Sequence, residues 1–228
     1  MKGQPMIVYL ASPGNQVQAH CASGMDVLVS YGTFSDWLYQ YTPTFKSLLI
    51  DSGAYSAYNS GKTISVEAYA DWSSQWEGRA AAIAGLDDIK GDWKTSLKNY
   101  ELCGFPTYHN SDPPELLDDL IEIAKRRGNW LGIGIDGKRE GMDGFLRGAM
   151  EKIPPEIHVH GWALRRYRWT YRFGSVDSTN WWRDGMQLRL KLPWLSYAEC
   201  LEIIIKRERR EIITPNKRNK ETQGKLSF

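Results

Sequence analysis

Phe105–Asp136, FPTYHNSDPPELLDDLIEIAKRRGNWLGIGID, reads as one complete strand–helix–strand unit. FPTYHN and WLGIGID are short, largely apolar runs, the pattern of strands buried on both faces in a parallel sheet. Between them Pro113 and Pro114 open a segment in which Leu116, Leu117, Leu120, Ile121 and Ala124 recur at helical spacing. Lys125, Arg126 and Arg127, followed by Gly128, suit a helix carboxyl terminus, where cations face unpaired carbonyls. Two parallel strands joined through a helix are the repeating unit of α/β proteins, so the flanking sequence is read for further copies.

It supplies them. Strands are predicted at Ile7–Ser12, Val27–Phe34, Ser47–Gly53 and Ala81–Asp88 before the unit, and at Glu156–Trp162 and Gly174–Thr179 after it. Phe105–Asn110 and Trp130–Asp136 bring the number to eight. Helices are predicted over SVEAYADWSSQW with Ser65 as its N-cap, DWKTSLKNYELC, Gly141–Lys152, Ala163–Arg172 and Tyr197–Glu211. Eight strands alternating with helices predict a compact, single-domain α/β fold, a (β/α)8 TIM-type barrel, with an open doubly wound sheet as the alternative. Residues 1–195 would form the barrel, 196–213 a C-terminal helix packed on it, and 214–228 a polar, basic tail.

A hydrophobic content of 42% with 25% charged residues is ordinary globular composition. No apolar run approaches the roughly 18–20 residues that cross a bilayer. The opening MKGQPMIVYLASPG lacks the layout of a signal peptide, so none is predicted. Cys21, Cys103 and Cys200 are odd in number and far apart, which argues for a reducing cytoplasm and against a disulfide framework or a CxxC zinc site. Net charge is only +2, but it is unevenly spread. WALRRYRWTYR, from Trp162 to Arg172, carries Arg165, Arg166, Arg168 and Arg172 among four aromatics and no acid. Basic side chains interleaved with rings suit a strand of nucleic acid. A solvated amphipathic helix is the equally open reading.

The chemistry is carried by where the polar residues fall. The third strand ends in Asp51-Ser52-Gly53, the fourth in Asp87-Asp88, the fifth at His109, and the eighth passes through Asp177. In a barrel these carboxyl ends converge on the face where reactions occur. A single aspartate there is usually a turn or cap residue. Several on different strands suit attack on an electron-poor carbon, one carboxylate bonding to it while another moves protons. Gly53, Gly132, Gly134 and Gly161 sit beside these ends and would admit a flat ligand close to the backbone, with simple tight turns as the alternative reading. GIGIDG lacks a dinucleotide-binding spacing. His158 and His160 alternate on the seventh strand; satisfied interior histidines are favoured over a metal site, and no metal or cofactor is expected.

The ordered set of motifs resembles the tRNA-guanine transglycosylases, which exchange guanine for a 7-deazaguanine. IDSGAYSAY is similar to their DSGG-(Phe/Tyr)-Gln segment, GLDDI to their second aspartate motif, and VDST to the segment holding their nucleophile. The match looks closer to phage-encoded members, in which HG (here His160-Gly161), an Arg/Tyr-rich turn and SVDST-W occur together, and some of which are thought to modify DNA. The resemblance implies that Asp177 is the nucleophile, that Asp87 accepts from the guanine edge, and that Asp51 contacts base or sugar and moves a proton. It implies substrate contacts at Ser52, Gly53, His109, Gly132, Gly134, His160 and Gly161. Trp181 and Trp182, beside the eighth strand, join the four arginines as candidate nucleic-acid contacts.

There are departures. Ala54 and Ser56 stand where the family carries glycine and glutamine, STNWWRDG replaces a Pro-Thr-Arg motif, and the Cys-rich zinc site has no counterpart. With a chain shorter than the tRNA enzymes, they favour DNA over tRNA as the partner, with a 7-deazaguanine such as preQ0 as the incoming base. The alternatives are tRNA exchange, a glycosylase that releases the base to water, and a non-catalytic nucleic-acid or nucleobase-binding barrel. A homodimer or an accessory protein is a further possible partner.

Overall fold

The computed structural model describes residues 6–90, 92–136, 141–168 and 170–213, with side chains as far as Glu208. The elements run β1 (Ile7–Ala11), α1 (Gln16–Cys21), β2 (Asp26–Ser30), β3 (Ser47–Asp51), α2 (Ala54–Asn59), α3 (Val66–Ser74) and β4 (Ala82–Ile83). They continue with α4 (Trp93–Leu102), β5 (Thr107–His109), α5 (Leu116–Arg126), β6 (Trp130–Gly134), α6 (Met142–Lys152), β7 (His158–Gly161), β8 (Ser175–Ser178), α7 (Asn180–Lys191) and α8 (Tyr197–Ile213). All eight strands pair in parallel, in the order β4-β3-β2-β1-β8-β7-β6-β5. β1 thus pairs the last strand as well as β2, a wrap-around that a doubly wound order lacks.

The sheet is curled, and its ladder is open between β4 and β5, short of the fully laddered barrel that eight strands predict. A single parallel bridge, Ala84 to Phe105, crosses the seam. There the Gly85 N–H donates to the Phe105 carbonyl and the Phe105 N–H to the Ile83 carbonyl, each at 2.8 Å. Gly104, at φ +72°, makes the approach possible, since a Cβ there would overlap the Ala84 backbone.

Two-residue alternation divides the strands between two environments. Val8, Leu10, Val27, Val29, Leu48, Ile50, Leu131, Ile133, Val159 and Val176 pack outward against the helices. Tyr9, Ala11, Leu28, Leu49, Ala84 and Phe105 pack together inside, joined by Trp130 and Trp162. α5 is anchored by buried Leu116, Leu117, Leu120, Ile121, Ile123 and Ala124, each large aliphatic contributing about 2 kcal/mol. Ser65 caps α3 as its sequence predicts, accepting from the Ala68 N–H at 3.2 Å.

Four expectations need correction. Strand β2 stops at Ser30, and Tyr31–Thr33 turns as a 3-10 helix, because Gly32 packs on the backbone of Gly53. β4 is two residues long rather than eight. The helix expected over Ala163–Arg172 is absent among its described residues: Ala163 sits at φ +52°, outside the right-handed region, and Arg165–Tyr167 forms a 3-10 turn. Helix α7 was not anticipated. Its mid-helix Gly185 lowers helix propensity but lets Leu201 of α8 lie against it. α8 also reaches α1, the Gln18 amide donating to the Tyr197 hydroxyl at 2.9 Å. The expected tail, 214–228, lies outside the described residues. Among those described, no helix is long and apolar enough to cross a membrane.

Gly104→Ala should therefore lower stability by roughly 2 kcal/mol or more, since it adds a left-handed penalty to a clash at the seam. Urea unfolding that matched the wild type would show that the seam contributes little.

Candidate active site

The carboxyl ends of the strands bring Asp51 (β3), Asp87 (after β4), His109 (β5) and Asp177 (β8) to one mouth. Their electrostatics place the acids together: the charges of both Asp177 and Asp87 act on Asp51. Burial first, opposed by Ser30 and reinforced by those two charges, pushes the Asp51 carboxyl up to about 6. The Gly53 N–H, 3.1 Å from Asp51 Oδ2, pulls the other way. Gly53 itself holds φ +74° at the start of α2, and a Cβ there would come within 2.5 Å of Ser30 Oγ. Its role is therefore to turn the chain and aim Asp51. Ser52 is buried, its Oγ accepting from the Ala54 N–H at 3.3 Å, so it caps the turn and does not face a ligand.

Asp87 is held from both sides. The Tyr100 hydroxyl donates to its Oδ1, and His109 Nε2 stands 3.7 Å from its Oδ2. Burial raises its pKa, against the pull of His109 and Tyr100. His109 has Asp112 on its other nitrogen, at 3.6 Å. Burial alone would lower the histidine, but Asp112, Asp87 and Asp136 together push it up to about 9, so the ring is cationic at neutral pH. A cleft beside this group is lined by Asp88, Trp93, Ser96, Thr107, His109 and Asp136, among others.

Asp177 is only 13% exposed in its side chain. Its Oδ1 accepts from the Ala163 N–H at 2.7 Å, and His160 Nε2 lies 3.6 Å from the same oxygen. The left-handed turn that breaks the expected helix therefore aims this amide at the carboxylate, the kind of strain that collects at functional sites.

Several candidate contacts have other work. Gly132 makes room for its neighbours: a Cβ would meet Trp162 Nε1 at 2.5 Å and Thr107 Oγ1 at 2.6 Å. Gly134 leaves space for the His109 ring, whose Cδ2 would lie 2.6 Å from a Cβ. Gly161 packs under Phe173. His160 is wholly buried behind Asp177 and is not at the mouth. His158 donates to or accepts from Ser175 Oγ at 2.7 Å and stacks on Trp130. Among the described residues no group of three or more His, Cys, Asp or Glu is arranged to hold a metal.

Arg165 and Arg168 of the basic segment turn inward and Arg172 is committed to backbone carbonyls, which corrects the segment's reading as a row of four phosphate contacts. Arg165 pairs with Glu208 of α8, whose side chain is 2% exposed. Arg168 is buried. Arg172 donates to the carbonyls of Met150, Ile153 and Pro154, closing the end of α6. Arg166 and Arg172 are exposed, Arg166 lying over the Tyr167 ring. Trp181 is fully buried, its Nε1 donating to the Ala11 carbonyl at 3.2 Å, and Trp182 is partly buried against the core. Sequence reasoning passed over Tyr55 and Tyr58, 70% and 50% exposed on α2 just after Asp51. The signal was the aromatic spacing in DSGAYSAY. It also passed over Tyr100 and Asp112, whose roles depend on strands meeting in space.

Compared with protein families, curated proteins and solved structures, the chain matches none.

Asp51→Asn tests the shared mouth. A carboxyl whose folded pKa is raised opposes folding when ionised, and the penalty is absent below about pH 3.8, grows toward about pH 6 and is constant above it. The variant should therefore be more stable than wild type at pH 7 by on the order of 1–2 kcal/mol, and equal to it near pH 3. Equal stability at both values in urea unfolding would show that Asp51 is not under charge and burial stress.

Proposed function

We propose that the chain is a barrel-type base-exchange enzyme that replaces guanine in nucleic acid, DNA by preference, with a 7-deazaguanine through a covalent Asp177 intermediate. One observation carries this reading: Asp51 of β3 feels the charges of Asp177 of β8 and of Asp87, which follows β4, three partly buried carboxylates from separate parts of the chain. Their environments differ, which separates their roles. Asp177 has an anchored Oδ1 and is suited to attack. Asp51, which gains and loses its proton around pH 6, is suited to exchange a proton. Asp87, backed by Tyr100 and cationic His109, is suited to accept from N–H groups of a bound base.

In the first step an Asp177 oxygen bonds to C1′ while the C1′–N9 bond breaks. The bond pair goes to guanine N9, which takes a proton from Asp51. In the second step the incoming base gives its N9 proton to Asp51 and attacks C1′, and the C1′–oxygen pair returns to Asp177. Two inversions retain configuration. The target nucleotide has to be single-stranded or flipped. The exposed rings of Tyr55 and Tyr58 beside Asp51 offer faces on which bases stack.

Purified protein incubated with guanine-labelled DNA, and separately with labelled tRNA, should release label only when a 7-deazaguanine is supplied. Asp177→Asn should lose at least about 1,000-fold in rate and all covalent trapping. Release without the incoming base would identify a glycosylase, and response to tRNA alone would change the polymer. No release from either polymer by folded protein would overturn catalysis and favour a binding barrel.

A further inference from the structure

Beneath Asp177 lies a column of buried polar groups. His158, His160 and Ser175 point into the interior, and Ser175 Oγ stands 2.7 Å from His158 Nε2 and 2.9 Å from His160 Nδ1. The His160 ring is fully enclosed, edge-on to Trp162 at 4.3 Å and to Tyr9 at 6.1 Å between centroids. Among the described residues its Nε2 has no hydrogen-bond partner, and it is 3.6 Å from Asp177 Oδ1. An orphaned nitrogen this deep, beside a carboxylate, calls for an explanation.

One hydroxyl proton has to serve two rings. If Ser175 donates to His158, a neutral His160 must give its proton from Nδ1, and its bare Nε2 then faces the acceptor Asp177. If Ser175 donates to His160 Nδ1 and accepts from His158 Nε2–H, His160 carries its proton on Nε2, toward Asp177. The second arrangement leaves no two acceptors opposed. His158 suits it: burial and the nearby His160 hold its pKa down to about 4, so it is a neutral ring with one N–H to give. A doubly protonated His160 would present the same Nε2–H.

We propose that His160 is a positioning residue, whose Nε2–H joins the Ala163 amide in holding Asp177 Oδ1 so that Oδ2 faces the mouth, with Ser175 and His158 setting its tautomer. The geometry fits, since both contacts on Asp177 fall on the one oxygen. The catalytic part of this inference rests on Asp177 being the nucleophile, whereas the hydrogen-bond part does not. Water in the mouth competes for a carboxylate, and two fixed donors keep it from rotating between attacks.

Two measurements on the full chain decide it. Nitrogen-15 NMR of the histidine rings, of which the chain has four, should show His160 protonated on Nε2. Asp177→Ala, at the mouth and expected to fold, should move that signal. A His160 protonated on Nδ1 alone, or a signal indifferent to Asp177→Ala, would overturn the proposal. In single-turnover trapping, His160→Leu should slow adduct formation about 100-fold with nucleic-acid affinity unchanged. His160→Gln, whose amide can donate to the same oxygen, should recover most of the loss. Wild-type trapping by a folded His160→Leu would also overturn it. If the wild type traps nothing, base exchange fails, and the NMR result alone decides whether His160 holds Asp177.

Discussion

Asp51, Asp87 and Asp177 bring like charge toward one partly dry mouth, and burial, more than their repulsion, sets what the surrounding structure has to answer. Burial is the largest cause at Asp51 and Asp87, and neighbouring carboxylates add to it. Each acid meets this differently. Asp51 yields, its pKa rising to about 6. Asp87 is flanked by a histidine that two further acids keep cationic and by the Tyr100 hydroxyl. Asp177 is bound by a backbone amide and backed by a buried imidazole. Identical side chains thereby acquire different surroundings, which an acid–base division of labour on the proposed reading would need.

These solutions are built from backbone features that oppose stability locally. Ala163 holds a left-handed φ to direct its amide at Asp177, and Gly53 turns sharply to direct its amide at Asp51. β4, the strand leading to Asp87, is only two residues long and crosses to β5 by one bridge. The outward face of the same strands offsets this with continuous aliphatic packing against α1, α3, α5 and α6. Strain at the mouth and order around it are two sides of one division along each strand.

What the sequence made legible follows from the same division. All eight strands fall where apolar runs predict them, because strands covered on both faces have little freedom in composition. The acids at their ends could be located because a curled parallel sheet gathers those ends. Strand lengths were overread: Ile83 to Asp88 remains apolar to its polar end, yet Gly85 lies against Tyr100 and the chain leaves the sheet. Helix α7 was hidden because its one glycine and paired tryptophans are explained by α8 and by the Ala11 carbonyl, both remote in sequence. The glycines of β6 carried no mark to show that they yield space to Trp162 and His109 and not to a ligand.

The basic aromatic segment shows how composition without geometry misassigns charge. A guanidinium satisfies carbonyls and carboxylates in a protein by the same fork with which it satisfies phosphate. Arg172 uses it on the end of α6 and Arg165 on Glu208, so this run ties the β7–β8 connection to two helices. That anchoring matters at the mouth, because the connection begins at Ala163, whose amide holds Asp177. Fixing the far end of the loop limits how far that amide can drift. On the proposed reading, a polymer then meets few cations here and depends more on exposed rings near Asp51, an interaction that falls off less with salt than phosphate pairing does. On that reading the arginines act on the chemistry by holding the loop whose Ala163 amide holds Asp177.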